Sequence, residues 1–246
     1  MSETLLRADL HIHSVLSPCA QREMLPHRIV FEALQKKLDV IAVTDHNACE
    51  NVGLTMELGQ RFGLWVVPGI EVESKEEIHL LCFFPTLELL TLFNREVDAN
   101  LSRIPINEEI WGEEWVIDEE GAIKAKKEYL LTYPTQLSAE ELITLARKYQ
   151  GFVVPSHIDR ASYSVLANLG FIPREWGIET VEISSWQKAE TLRGNINLGE
   201  YVLVSFSDAH SLSEIGRTFT LLEIQKRDWT SLLQTLTTRK FFPHQS

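Results

Sequence analysis

The sequence predicts an α/β fold on a mainly parallel sheet, closed into a barrel of about seven strand–helix units. Three observations predict it. Short apolar strands alternate with helical stretches along the chain. About seven such units in 246 residues suit a closed barrel better than an open sheet. Most of the strands end on a residue able to bind a metal or move a proton, and a parallel barrel gathers such ends on one face.

Leu5 to Ile12 reads as the first strand. Pro26, whose missing N–H costs nothing at a helix start, opens a helix with Val30, Leu34 and Leu38 on one face. DVIAVTDH (39–46) is a short buried strand. Val52, Met56, Leu58 and Phe62 mark a second helix, with Gly63 as its C-terminal cap. LWVVPGIE (64–71) and IHLLCFF (78–84) are the next strands. Ser138-x-x-Glu141 is a capping box that opens a helix through Leu142, Leu145 and Tyr149, closed by Gly151. GFVVPSH (151–157), IETVEIS (178–184) and YVLVSFSD (201–208) are further strands. Thr218 to Glu223 is the last strand and Trp229 to Leu236 the last helix.

Residues 86–137 break the rhythm. They hold 11 Asp/Glu against 5 Lys/Arg, half of the chain's net charge of −12. Within them WVIDEEGAIKA reads as a β-hairpin turning between Asp118 and Gly121. The stretch is too poor in apolar residues for its own core, so 1–246 is expected to be one domain with an acidic insertion.

Composition narrows the function. At 44% hydrophobic and 24% charged residues, the chain is neither disordered nor low in complexity. No apolar run approaches the ~20 residues of a membrane span, so no membrane partner is expected. Met1 to Leu6 lacks a signal-peptide pattern, and cysteines 19, 49 and 82 form no paired framework; both point to the cytoplasm. An acidic chain lacks the broad basic footprint of a duplex-binding protein.

The histidines carry the chemistry. His11 and His13 follow the first strand, and His46 the second. Glu71 ends the third, His79 starts the fourth, and His157 ends the fifth. Asp208 and His210 follow a later strand as D-x-H. His27 and His244 lie outside the pattern and read as surface residues. Imidazoles and carboxylates without paired thiolates suit Zn²⁺, Mn²⁺ or Fe²⁺. The set exceeds the three or four protein groups one zinc takes, so two or three ions are expected, with Glu71 bridging. No G-x-G, G-x-x-x-x-G-K-[ST], G-x-S-x-G or H-E-x-x-H occurs, which removes dinucleotide, P-loop, serine-hydrolase and zincin chemistry.

DLHIHS (9–14), AVTDHN (42–47), PGIE (68–71), PSH (155–157) and SFSDAH (205–210) resemble the PHP (polymerase and histidinol phosphatase) family, in its stand-alone phosphoesterase form. The resemblance implies a distorted (β/α)7 TIM-like barrel with a trinuclear centre. It implies His11, His13, Glu71 and Asp208 at a first ion, and Glu71, His79 and His157 at a second. His46 and His210 would hold a third. Arg160 matches a phosphate-contacting arginine, and Arg217 is a weaker match. Where the family has a further ligand to the third ion, this sequence has Pro18 and Cys19. Glu23 is favoured over Cys19 as the replacement, because the SPCAQREM loop is long enough to return it.

The expected activity is that of a metal-dependent phosphoesterase. A metal-activated hydroxide would attack a small phosphate ester, a nucleotide or a short oligonucleotide end. Glu71, Asp208, His157 and Arg160 would carry the chemistry. The rivals are an amidohydrolase-like metal hydrolase and a non-catalytic metal-binding barrel. The −6 stretch predicts repulsion of polyanions, hence no stable duplex binding.

Overall fold

The computed structural model describes residues 4–189, 192 and 198–238. In chain order the elements are β1 (Thr4–Ile12), α1 (Pro26–Gln35), β2 (Val40–Val43), α2 (Val52–Phe62), β3 (Trp65–Val66), β4 (Gly69–Glu73) and β5 (His79–Phe83). Then come α3 (Leu87–Ala99), α4 (Glu108–Trp111), β6 (Trp115–Ile117), β7 (Ile123–Lys126), α5 (Ala139–Lys148), β8 (Phe152–Pro155) and α6 (Val165–Leu169). The last are β9 (Thr180–Glu182), β10 (Val202–Val204), β11 (Thr220–Ile224) and α7 (Trp229–Thr237). Among these residues no helix is long and apolar enough to cross a membrane.

Among the described residues this is a mixed α/β fold whose strands form four sheets, not one continuous closed sheet. β1–β2–β3 and β9–β10 are parallel, as expected. β4–β5–β8 is antiparallel throughout, and β11 runs antiparallel to β1. The β4–β5 reversal follows from its connection: Ser74 to Ile78 is far too short for a parallel crossover of a dozen or more residues. Single bridges join the ladders near the histidines, Ile12 to Ala209 and His46 to Glu71. Ile158 N–H likewise donates to the Glu182 carbonyl at 2.9 Å.

Both strand faces are buried. Leu80 and Cys82 of β5 pack outward under α3 and α5, and Leu81 and Phe83 pack inward with Leu10, Ala42, Val154 and Val204. Pro68 splits the expected 64–71 strand into β3 and β4, since proline cannot donate to a ladder. The face of α2 also differs from expectation: Phe62 is exposed, and Val52, Thr55 and Gly59 are buried. A Cβ on Gly59 would meet Val66 Cγ2 at 2.4 Å, so glycine permits that helix–strand approach. Gly63 caps α2 at φ 77°, and the Ser138–Glu141 capping box forms. The left-handed residue after α5 is Gln150, at φ 59°, not Gly151. Gly151 instead makes room for Phe84, whose ring would lie 2.7 Å from a Cβ there.

The acidic stretch is fastened to the loops that leave β1 and β2. Leu101 and Leu131 pack with Leu16 and Ala48 in a small cluster. Trp115 N–H donates to the Val15 carbonyl at 3.1 Å. Asn51 donates to the Trp115 carbonyl at 3.0 Å and accepts from Ile117 N–H at 2.9 Å. The hairpin turns as expected, with Asp118 Oδ1 accepting from Glu120 and Ala122 N–H groups.

Candidate metal centre

The strand ends converge on Glu71. Its carboxylate is 1% exposed, and five imidazoles stand within 3.5 Å of it. His11 Nε2 and His79 Nδ1 lie 3.2 Å from Oε1, and His157 Nε2 lies 3.5 Å from it. His46 Nδ1 and His13 Nε2 lie 3.3 and 3.4 Å from Oε2. Asp208 forms the other pole, with Oδ1 3.1 Å from His13 Nε2, 3.2 Å from His11 Nε2 and 3.6 Å from His210 Nδ1. His157 and Asp208 hold φ angles of 28° and 48°, a left-handed conformation that non-glycine residues keep only where surroundings enforce it.

The surroundings also orient the imidazoles. His11 Nδ1–H donates to both oxygens of Glu182 at 3.0 Å. Ser17 Oγ donates to Asp45 at 2.7 Å, so it accepts from His13 Nδ1–H at 3.1 Å. His210 Nδ1–H donates to the Asp208 carbonyl at 2.9 Å. Each bond leaves Nε2 as that ring's free ligand atom. Asp45 meanwhile accepts from Ser14 N–H and Oγ–H, pinning the loop after β1 to the loop after β2.

Charge is divided within the cluster. Burial opposes ionisation of Glu71, but His79 and His11 hold its carboxyl well below the usual range. Asp208 is lowered against burial by His11 and His13. Burial disfavours the His11 cation, yet Glu182, Glu71 and Asp208 raise it. Burial and the neighbouring His210 lower His13 to about 4; burial and His13 lower His46.

The donor set fits divalent cations. Both Glu71 oxygens, and the His46 Nδ1 that lies 3.3 Å from one of them, are buried without a directed hydrogen bond, an arrangement that a ligated ion would satisfy. Among the described residues three groups present atoms within 4.8 Å of one another: His11, His13 and Asp208; His46, Glu71 and His79; and His13, Cys19, His46 and His210.

Two expected residues lie elsewhere. Glu23 is exposed and in none of these groups, because the loop turns Met24 inward and pins it by Val15 N–H to the Met24 carbonyl at 2.8 Å. Cys19 takes the place beside His46 and His210. Arg217 is exposed and paired with Glu214 at 3.1 Å; it does not line the cleft. Arg160 does line it, with its guanidinium 2.5 Å from Asp208 Oδ2. His27 is exposed, and His244 lies outside the described residues. Glu182 was not singled out by sequence reasoning. Its signal was an acid in the apolar strand IETVEIS, where only a buried partner justifies a carboxylate.

No family model matches the chain. Over 78 residues it is 32% identical to a phosphoribosyl 1,2-cyclic phosphate 1,2-diphosphodiesterase of Eggerthella lenta, covering 30% of this chain and 29% of that protein. The chain spans 61% or less of the length of the curated relatives it matches. Among solved structures, the lesion-specific endonuclease Q of Pyrococcus furiosus superposes with a TM-score of 0.72 at 20% identity. That match covers 95% of this chain and 56% of the endonuclease. A suggested metal-dependent phosphoesterase of Bifidobacterium adolescentis gives 0.62 at 20% identity, covering 93% and 95%. At such identities these likenesses establish the fold.

They also correct one expectation. Endonuclease Q has been crystallised with a 27-mer duplex carrying an abasic lesion at its active site. A protein that shares this fold over 56% of its length thus takes duplex DNA, so the fold does not restrict the substrate to small molecules. The structure supplies the reason: from the acidic stretch Ile110, Trp111 and Thr132 line the cleft, and none of its acids does.

Proposed function

We propose that the chain is a metal-dependent hydrolase of phosphate esters on a distorted seven-unit barrel of PHP type. The carrying observation is the buried carboxylate of Glu71, with five imidazoles within 3.5 Å of it. His11, His13, Glu71 and Asp208 would hold a first ion; Glu71, His79 and His157 a second; His46, His210 and Cys19 a third. A thiolate at Cys19 favours Zn²⁺ there over Mn²⁺ or Fe²⁺. Ions so bound supply Lewis acidity and lower the pKa of water.

The chain's own residues do the rest. Glu182, Ser17 and the Asp208 carbonyl fix which imidazole nitrogens are ligands. Arg160, at the cleft wall, clamps a phosphate oxygen with its planar fork. The cleft of about 470 Å³ holds one nucleotide unit, free or within a strand. A panel of phosphate mono- and diesters, with single-stranded and duplex DNA, assayed with Mn²⁺, Mg²⁺ and Zn²⁺ tests this reading. Metal-dependent release from at least one ester is expected. No hydrolysis with any metal would overturn it.

A further inference from the structure

The cleft has an apolar wall that the metal centre beneath it does not use. Ile110 and Trp111 of α4 are 69% and 50% exposed, and both line the cleft. Tyr163 lines it too, 48% exposed, with its ring stacked on His79 at 4.9 Å between centroids. Single exposed hydrophobic residues are ordinary, but three gathered at one mouth indicate a binding surface.

The wall is held in place from behind. α4 buries none of its own residues. Just after it, Glu114 is fully buried and accepts from Leu131 N–H at 3.0 Å. Trp115 is tied to Val15, two residues past His13. The loop that follows the metal-binding histidines thus also anchors the apolar wall. Glu108 and Glu109, next to Ile110 and Trp111 on α4, are exposed acids, which disfavour a phosphate beside these residues. Arg160, 2.5 Å from Asp208, and the histidines favour it at the metal centre.

We propose that Ile110, Trp111 and Tyr163 form a subsite for a flat aromatic ring on the substrate, a nucleobase, while its phosphate sits toward Arg160. The proposal rests on the phosphoesterase reading and adds the substrate's second half. Aromatic stacking on a base is worth about tenfold in affinity or more.

The test compares adenosine 5′-monophosphate, phenyl phosphate and glycerol phosphate in wild type, Trp111→Ala and Trp111→Phe. Trp111→Ala should raise KM for the nucleotide at least tenfold more than for glycerol phosphate, and Trp111→Phe should restore most of it. A matching rise for phenyl phosphate would identify the subsite as one for aromatic rings in general; a nucleotide-only effect would identify a base-sized one. Equal changes for nucleotide and glycerol phosphate would overturn the proposal. Adenosine alone separates this outcome from failure of the phosphoesterase reading. Its quenching of tryptophan fluorescence should be lost in Trp111→Ala, and undiminished quenching would sink the subsite whatever the activity.

Discussion

His11 Nδ1 and the Glu182 carboxylate meet at 3.0 Å although 171 residues separate them in the chain. The contact joins the first strand to the ninth and turns one imidazole so that its Nε2 faces Glu71 and Asp208. Glu182 also accepts His157 N–H at 2.8 Å, so one carboxylate holds two strand ends.

Loss of that carboxylate should therefore weaken metal binding more than folding. Glu182→Gln is expected to lower affinity for Zn²⁺ or Mn²⁺ about 10–100-fold, as for other outer-shell partners. Competition with a chromophoric chelator measures it, and a circular dichroism melt checks the fold. Unchanged affinity would mean that His11 is oriented without Glu182.

Asp208 touches more of the cluster. Asp208→Asn tolerates the left-handed backbone but removes a charged oxygen facing His11, His13 and Arg160. Its loss of activity should exceed the ~100-fold upper end seen for outer-shell partners. Elemental analysis should find fewer ions per chain. Full metal content and near-normal turnover would remove Asp208 from the ligand set.

Cys19 and Glu23 separate by a pair of substitutions. Cys19→Ser should release the third ion and shift metal preference away from Zn²⁺. Glu23→Gln, on an exposed residue, should alter metal stoichiometry little. The reverse pattern would return the ligand to Glu23.

Glu114 predicts a pH dependence of stability unrelated to the metals. Burial pushes its carboxyl up to about 8, and Oε2 has no hydrogen-bond partner. Because the folded pKa is above the ordinary value near 4.5, the native state binds the extra proton. The group's contribution is full below about 4.5 and is lost as pH rises toward 8. Glu114→Gln should match wild type at pH 4 and melt higher at pH 9, by about 2–4 °C for each kcal/mol relieved. Parallel melting curves across pH would show that Glu114 is not the titrating group.

The sequence by itself determined the elements and the candidate ligands. Apolar periodicity marks β1, β2, β5 and α5 because burial imposes a period on any strand or helix. The capping box at Ser138 and the cap at Gly63 are local chemistry, complete within a few residues. His11, His13, His46, Glu71, His79, His157, Asp208 and His210 were legible because each follows or begins a short apolar run. Tertiary structure alone decided what depends on distant partners. The antiparallel β4–β5–β8 pairing, the outward turn of Glu23 and the diversion of Arg217 to Glu214 are settled by packing across the chain. So are the burial of Glu182 beside His11 and the placing of Trp111 over the cleft. A side chain's neighbours across 171 residues leave no periodic trace in the sequence, and only the folded backbone brings them within hydrogen-bond reach.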